Sequence, residues 1–301
     1  MINLKERFTI QVYNIGITST SIIDNGINKK SIKWLKHDYK DRFFADPFLW
    51  YQDQENYYIL VEEMCFFEEY GKIVLLTINK LEFSLKNREV IIQEPFHLSF
   101  PYCELNKNII IPEAAQSGKC TCYRISRETH KIISKEIIAD EGIIDPIFVG
   151  QINNSLLLGS KVKDPNNKLY MFKKNDQGKY IVLTDKPLIK GKKNSRNGGA
   201  IFQYNNKLYR PAQDCIQRYG CGIQLMNISD KTDEGYFEKK AQYFSSKNSP
   251  LYNETFHTFN VYGDIVIVDG SIDIYCMRNY IYKIRKLINR YINKFRRKYE
   301  N

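Results

Sequence analysis

The sequence predicts an all-β protein, a five-bladed β-propeller closed by N-terminal strands and followed by a basic amphipathic α-helix. Two observations predict it. A unit of two apolar, β-favouring segments joined by a polar turn occurs five times, and a helical spacing of apolar residues follows after residue 276. A strand repeat of about 50 residues is typical of propellers, in which each repeat forms one four-stranded sheet around a central channel.

The first unit, residues 43–63, shows the pattern most clearly. It begins with the apolar segment FFADPFLW, residues 43–50. Because proline has no N–H, the Asp46-Pro47 step fits the start of a strand. A polar turn at Asn56 then leads into a second β-favouring run, which ends in Glu62 and Glu63. The unit predicts an acidic residue at the mouth of a buried strand and carboxylates at the end of the neighbouring strand.

Four further units have the same order of segments. Successive units, counted from Pro47, start 54, 45, 53 and 59 residues apart, at Pro101, Pro146, Gly199 and Thr258. Their polar turns fall at 106–108, 153–154, 205–206 and 263–264. In the first four units, third and fourth strands are predicted at 72–78 and 89–93, 120–125 and 131–138, 168–172 and 179–183, and 222–228 and 236–244.

The N-terminal strands are predicted to complete the fifth blade. Residues 8–18 alternate apolar and polar side chains, and 31–35 form a shorter candidate strand. Both precede the first unit, while the fifth unit has only a short strand-like stretch after Asp269. Joining them closes the ring and removes an exposed sheet edge. The polar segment 186–197, with four lysines and an arginine, is expected to be a mobile loop on the functional face.

Residues 277–301 differ in character, so we divide the chain into a catalytic propeller domain, 1–276, and a helix, 277–301. The helix has nine basic residues and one acid. Its apolar positions recur at three- and four-residue intervals: Ile281, Ile284, Leu287, Ile288, Tyr291, Ile292, Phe295 and Tyr299. A basic amphipathic helix with aromatic residues is typical of membrane-surface elements and suits anionic lipid. The alternative is a helix packed on the propeller with a solvated basic face.

The charge, the hydropathy and the cysteine spacing of the chain exclude several classes of function. Residues 1–276 carry 36 basic and 33 acidic residues, so a general nucleic-acid-binding surface is not indicated. No secretory h-region follows Met1, and no run of 18 apolar residues occurs. The seven cysteines are irregularly spaced, and Cys120-x-Cys122 fits neither a zinc nor a redox motif. We expect a reduced, cytoplasmic protein that is peripheral at the inner face of the cell membrane.

Polar residues recur at the strand ends that meet at a propeller axis. Aligning the units places five acidic or imidazole side chains at or near these ends: Asp46, Glu113, Asp145, Asp214 and His257. Carboxylates from different blades around one pocket suit general acid/base work at a glycosidic centre. Taken singly, an aspartate before proline is also a common turn or strand cap. One of Glu62 and Glu63 is expected to reach the same funnel, and the other to bind loop backbone or solvent.

Blade four adds candidate anion ligands. Arg196, Arg210, Gln213 and Asp214 surround the Gly198-Gly199 step, and two arginines could hold a phosphate or carboxylate by paired hydrogen bonds. An Arg–Asp pair that braces the blade is the alternative, and a lone histidine such as His257 is often structural. The sequence has no Asp-x-Asp motif, P-loop, Gly-x-Gly-x-x-Gly or His-x-x-x-His site. We therefore predict no metal and no cofactor, with an activated sugar donor as co-substrate.

Several of these segments resemble one known family. They are 44–48, 94–101, 111–113, 145–146, 208–214 (LYRPAQD) and 257–260 (HTFN). They are similar to the glucosamine inositolphosphorylceramide transferase N-terminal domain family, and the similarity covers residues 8 to about 270. The resemblance implies a five-bladed propeller related to arabinanase, xylosidase and invertase-like glycosidases. Its bacterial members look like enzymes of surface-polysaccharide assembly, and its plant members attach a sugar to a glycolipid with a separate transferase domain that this sequence does not contain.

The resemblance also implies roles for individual residues. In the related glycosidases the first-blade aspartate is the general base, a later aspartate tunes its pKa and a glutamate is the acid. Asp46 matches the first role, and Asp145 and Glu113 match the others loosely. The resulting hypothesis is a glycosyltransferase that transfers a sugar to a glycan or lipid-linked acceptor, with Asp46 as base and Arg196, Arg210 and His257 steadying the departing phosphate. The alternatives are a glycoside hydrolase and a non-catalytic glycan-binding propeller.

Overall fold

The computed structural model describes residues 8–28, 31–150, 156–231 and 236–299. Within these ranges, five antiparallel sheets form the blades of the predicted propeller, and a helix follows them. The fold class is confirmed. The turn expected at 153–154 lies outside the described residues.

Each of the first four blades is one run of the chain, with its innermost strand first. Blade one holds β3 (Arg42–Gln52), β4 (Asn56–Cys65), β5 (Lys72–Asn79) and β6 (Ser84–Ile92). Blade two holds β7 (Ser99–Cys103), β8 (Ile109–Glu113), β9 (Cys120–Ile125) and β10 (Ile132–Ala139). Blade three holds β11 (Ile143–Phe148), β12 (Leu156–Lys161), β13 (Lys168–Lys174) and β14 (Tyr180–Val182), and β15 (Ile189–Lys190) pairs with β13. Blade four holds β16 (Phe202–Tyr204), β17 (Lys207–Asp214), β18 (Gly222–Lys231) and β19 (Tyr236–Ser245).

Blade five joins the two ends of the propeller. Its order from the axis outward is β20 (Phe259–Tyr262), β21 (Ile265–Tyr275), β1 (Thr9–Ser19) and β2 (Lys33–Trp34). β1 pairs with β21 along its whole length, from Thr9 opposite Tyr275 to Ser19 opposite Ile265. The prediction that N-terminal strands complete the fifth blade is confirmed. The ring is thereby closed by backbone hydrogen bonds, which leaves β21 no free edge.

Aromatic side chains on the inner strands pack neighbouring blades together. Phe48 of blade one meets Phe100 of blade two at 5.0 Å between ring centroids, and Tyr102 meets Phe148 of blade three at 5.7 Å. All four rings are buried. Because these contacts link residues far apart in the chain, they hold the inner strands in a fixed relation around the axis.

The prediction that the Asp46-Pro47 step starts a strand is wrong, because β3 already begins at Arg42. Proline is tolerated inside this strand because the pairing with β4 shifts register between Ala45 and Phe48, so that Pro47 needs no N–H for the ladder.

Two segments also differ from the sequence prediction. The inner strand of blade four begins at Phe202 rather than at 198, because Gly199 has a φ of 148° and lies against the Phe259 carbonyl. A Cβ at Gly199 would fall 2.3 Å from that oxygen. The segment 186–197, expected to be a mobile loop, contains β15 and ends in the buried Ser195 and Asn197. It is anchored there because Arg210 and Asp145 hydrogen-bond to Asn197.

Two helices complete the described chain, α1 (Ile22–Asn25) and α2 (Met277–Tyr299). The second begins directly after β21, where the sequence predicts the change from strand to helix. Among the described residues, neither helix has the length and apolar character to cross a bilayer. All seven cysteines are free thiols.

Candidate active site

The innermost strands of three blades share an irregularity at the residue before proline. Asp46, Phe100 and Asp145 have φ values of 51°, 42° and 46°, and the strand pairing shifts register around each of them. Such bulges redirect a side chain, and a positive φ in a non-glycine residue costs about 1–3 kcal/mol. The bulge and the positive φ therefore direct the side chains of Asp46 and Asp145 toward the axis, at a cost in backbone strain.

Asp46 is held by neighbours from two other blades. Its Oδ1 accepts a 2.9 Å hydrogen bond from the Thr258 hydroxyl, and its Oδ2 accepts one of 3.2 Å from the Phe100 N–H. Its own N–H donates to Asp269 Oδ2 at 3.0 Å. Burial raises the pKa of Asp46 to about 6, although the charge of His257 opposes the shift. Near neutral pH this carboxylate is ionised and basic enough to accept a proton.

His257 lies beside Asp46 and is paired with Asp269. Its Nδ1 is 2.6 Å from Asp269 Oδ2, and its Nε2 is 3.9 Å from Asp46 Oδ1. Its ring stacks on Tyr13 at 4.8 Å between centroids and meets the edge of Tyr219 at 5.3 Å. Burial disfavours the imidazolium, but the charge and hydrogen bond of Asp269 outweigh it and raise the pKa of His257 to about 8. The result is a cation fixed next to the candidate base.

Glu113, Asp145 and Arg196 form the opposite side of the cluster. Arg196 Nε donates to Asp145 Oδ2 at 2.6 Å, and its Nη2 lies 3.7 Å from Glu113 Oε2. Burial and the neighbouring Asp145 charge raise the pKa of Glu113 well above its usual value. Glu113 Oε2 is buried without a hydrogen-bond partner in the part of the chain described. Burial and the Asp145 charge therefore favour the protonated form of Glu113, a carboxylic acid that can donate a hydrogen bond.

The adjacent Glu62 and Glu63 point to different sides of β4, as their alternation requires. The pKa of Glu62 is raised well above its usual value by burial and by the nearby Asp46 and Glu113 charges, which places it in the cluster. Glu63 is fully buried elsewhere, in ion pairs with three cations, Arg42, Lys72 and Arg88. That Glu62 serves the funnel stays a prediction. The expectation that the other glutamate binds loop backbone or solvent is wrong, because Glu63 is buried among side-chain cations.

In blade four, only part of the predicted set reaches the cluster. Gln213 Nε2 donates to Asp145 Oδ2 at 3.2 Å, and its Oε1 is buried with no partner among the described residues. Arg210 instead forms a two-armed ion pair with Glu238 of β19, at 2.9 and 2.6 Å. Asp214 Oδ1 accepts from the Ile216 N–H within its own turn. For Arg210 the structure shows the bracing ion pair that was the alternative to phosphate binding.

This assignment of Arg210 gives a stability prediction. Glu238→Gln leaves a completely buried guanidinium without its counter-charge, and such broken pairs cost about 3–5 kcal/mol. Urea unfolding of the full chain is expected to show a loss of that size. The same change at the exposed Glu82 is expected to stay within about 0.5 kcal/mol of wild type. A loss below 1 kcal/mol for Glu238→Gln contradicts the bracing role.

Four residues of the cluster were not predicted as site residues. Asp269 stands at the end of the fifth unit, the position that Glu62 and Glu113 occupy in the first and second units. Aligning the units could therefore have identified Asp269 as a site residue. Thr258 lies in the segment HTFN, 257–260, which carries part of the family resemblance, but no role was predicted for it. Tyr13 comes from β1, which joins the site only through ring closure, and Tyr219 comes from the turn between β17 and β18. Tyr219 is the most open of the four at 37% exposed, and Arg196 lies over its ring at 4.7 Å.

The same centre could hold a cation. Asp46, His257 and Asp269 each offer a ligand atom, and these atoms lie within 4.8 Å of one another. In this arrangement they hydrogen-bond to each other, to Thr258 and to the Phe100 N–H. The sequence-based expectation of no metal stays a prediction.

Comparison with known proteins gives consistent similarity to one family. The family model described as glucosamine inositolphosphorylceramide transferase 1, N-terminal, matches residues 26–257. The Arabidopsis thaliana protein named glucosamine inositolphosphorylceramide transferase 1 is 27% identical over 205 residues, which are 65% of this chain and 27% of that protein. A protein of the same name from Oryza sativa subsp. japonica is 26% identical over 209 residues. The chain thus spans about a quarter of the length of these relatives.

Among solved structures, two carbohydrate-active enzymes are similar to this chain in fold. A family 117 glycoside hydrolase from Zobellia galactanivorans gives a TM-score of 0.48 at 10% identity, over 86% of this chain and 90% of that one. The alpha-L-arabinanase from Cellvibrio cellulosa gives 0.44 at 12% identity, over 74% of this chain and 82% of that one.

Proposed function

The chain belongs to the family described as glucosamine inositolphosphorylceramide transferase 1, N-terminal, and from this premise we propose that it transfers a sugar from an activated donor to a glycan or lipid-linked acceptor. The relatives that carry the family name are named as transferases. One observation supports the proposal most: a buried carboxylate with a pKa of about 6, Asp46, lies beside a histidine with a pKa of about 8 in a cluster that all five blades build.

In the proposed reaction, Asp46 takes the proton of the acceptor hydroxyl as that oxygen bonds to the anomeric carbon of the donor sugar. The bond from the anomeric carbon to the donor phosphate breaks, and its electron pair leaves with the phosphate. Arg196 and protonated His257 are the cations placed to stabilise this developing charge. Arg210, which the sequence also assigned to the phosphate, is fully engaged by Glu238 and has no part in the proposal.

The remaining acids are proposed to set the geometry and the acidity of the base. Glu113 and Glu62 bind sugar hydroxyls, and their raised pKa values favour the protonated form, which donates a hydrogen bond. The charge of Asp145 contributes to the raised pKa of Asp46. Gln213, whose Oε1 has no partner among the residues that the structure describes, offers an acceptor for a further hydroxyl.

The proposal is tested by a donor screen. The full chain is incubated with a panel of activated sugars and a membrane extract, and lipids and glycans are analysed by mass spectrometry. The expected result is an acceptor whose mass rises by one hexose or pentose residue. Glycan binding without turnover, unchanged in Asp46→Asn, would contradict the proposal and indicate a binding module.

A glycoside hydrolase is the second candidate, and one observation favours it. Glu113, whose raised pKa favours the acid form, lies in the same cluster as the basic carboxylate Asp46, and two such carboxyl groups are what glycoside hydrolysis uses as acid and base. Release of free sugar from chromogenic arabinosides, xylosides or fructosides, without a phosphorylated donor, would support that reading.

The pKa values of Asp46 and His257 predict the pH dependence of transfer. Below about pH 6, Asp46 becomes protonated and loses its basic form, and above about pH 8, His257 loses its positive charge. We expect kcat/KM to be bell-shaped, falling about tenfold per pH unit on each side. In Asp269→Asn the upper limb should move to lower pH, because Asp269 raises the pKa of His257. A profile that is flat from pH 5 to 9 contradicts these roles.

A further inference from the structure

Helix α2 turns its polar side toward the propeller and its apolar side away from it. Its apolar face consists of exposed side chains, among which Ile281, Leu287 and Tyr291 are 57%, 63% and 74% exposed. The other exposed members of this face are Ile284, Ile288 and Ile292. The buried or half-buried positions of the helix are instead Asn279, Tyr282, Lys283, Lys286 and Asn289.

Polar contacts attach this helix to the propeller. Asn279 Nδ2 donates to the Phe8 carbonyl at 2.8 Å, and Lys283 Nζ donates to the Thr9 carbonyl at 2.9 Å. Asn289 Nδ2 donates to the Phe67 carbonyl at 2.9 Å. A surface helix ordinarily buries its apolar stripe against the core, and this one does the reverse. A contiguous apolar face left outward indicates a docking surface.

The helix lies at the same end of the propeller as the candidate site. It contacts Phe67, in the connection between β4 and β5, and β4 carries Glu62 near that end. His97 links this connection to Glu62: its Nδ1 accepts a 2.9 Å hydrogen bond from the Gly71 N–H, and its Nε2 is 3.4 Å from Glu62 Oε1. Burial, with a smaller contribution from the charge of Lys286, lowers the pKa of His97 to about 4. The helix therefore borders the rim of the funnel.

We propose that the apolar face of α2 docks on an anionic lipid bilayer and turns the mouth of the funnel toward it, so that the acceptor is a lipid-linked glycan. The docking rests on the helix alone, while the identity of the acceptor rests on the proposed function. The bilayer suits both features of the helix, because its acyl boundary accepts the apolar face while its phosphates attract the basic flanks.

Charge selects lipid over a second copy of the chain as the occupant. Residues 277–301 hold nine basic residues and one acid. Two such helices packed face to face would bring like charges together, whereas anionic lipid neutralises them. A helix dimer is therefore an outcome that the experiment must distinguish.

The test is co-sedimentation of the full chain with vesicles. Phosphatidylcholine vesicles are compared with vesicles that also contain phosphatidylglycerol. We expect binding to the anionic vesicles, weakened by added salt, and little binding to the zwitterionic ones. The double variant I284E/I288E should bind at least about tenfold more weakly. The matched control is L81E, since Leu81 is 84% exposed in the turn between β5 and β6, at the opposite end of blade one.

The following outcomes decide the docking proposal. Absence of wild-type binding to the anionic vesicles, or equal binding by I284E/I288E, overturns the docking. Light scattering that shows a dimer, made monomeric by I284E/I288E without vesicle binding, assigns the face to a second copy and also overturns the docking.

Hydrogen exchange tests the orientation on the bilayer. Vesicles should slow amide hydrogen exchange at 66–71 and leave 80–83 unchanged, and the opposite pattern would refute the proposed orientation. Vesicle binding without any sugar transfer would retain the docking and reject the proposed function.

Discussion

Replacing Asp46 with asparagine is expected to lower the turnover number for sugar transfer by about 10²–10⁴-fold, the usual contribution of a general base. Asparagine has nearly the same shape, and its side-chain oxygen can still accept the hydrogen bond from Thr258. It cannot accept a proton from the acceptor hydroxyl at neutral pH. We therefore expect KM to change little and kcat to carry the loss, measured with the donor and acceptor that the screen identifies.

Two controls separate chemistry from folding. Urea unfolding of Asp46→Asn should be close to wild type, because the variant removes a buried charge and keeps most of its hydrogen bonds. Asp140→Asn makes the same change at an exposed aspartate of blade two and should leave turnover unaffected. If Asp46→Asn retains full turnover, Asp46 is not the base and the proposed chemistry is abandoned.

Replacing Arg196 with glutamine is expected to lower kcat by about 10²–10³-fold, because the leaving phosphate loses a preorganised cation. The loss has a second, measurable signature. Without the guanidinium, the Asp145 charge is no longer balanced and should raise the pKa of Asp46 further. The acid limb of the pH profile is therefore expected to move to higher pH.

The conservative variant tests whether charge alone suffices. Arg196→Lys keeps a cation but loses the planar pair of bonds to Asp145, so we expect it to recover only part of the rate. Arg127→Gln changes an exposed arginine of blade two and should be neutral for turnover. An Arg196→Gln enzyme with a normal kcat and an unshifted acid limb would show that Arg196 only braces Asp145.

The propeller could be predicted from the sequence because each unit repeats the same physical pattern. A first apolar segment, a polar turn and a second apolar run recur in all five units, and the unpaired N-terminal strand at 8–18 needs a sheet. The same alignment placed Asp46 and Asp145 at equivalent positions. It could not show that both residues adopt a positive φ, which is what turns their side chains toward the axis.

The sequence could not show which blade-four arginine reaches the candidate site and which forms a structural ion pair. Arg196 and Arg210 are alike in sequence, and what distinguishes them is a partner on another strand, Glu238 for Arg210 and Asp145 for Arg196. The orientation of helix α2 could not be predicted for the same reason. Its apolar stripe is evident in the sequence, but which side meets the propeller depends on polar groups such as the Phe67 carbonyl.

The measurement that tests the central claim most directly is the reaction in ¹⁸O-labelled water, with wild type and Asp46→Asn compared. If Asp46 activates an acceptor hydroxyl, wild type should form an acceptor heavier by one sugar residue that contains no ¹⁸O. Asp46→Asn should form almost none of this product. Free sugar carrying ¹⁸O would show that water is the acceptor and that the enzyme is a hydrolase, and equal product from both proteins would remove Asp46 from the chemistry.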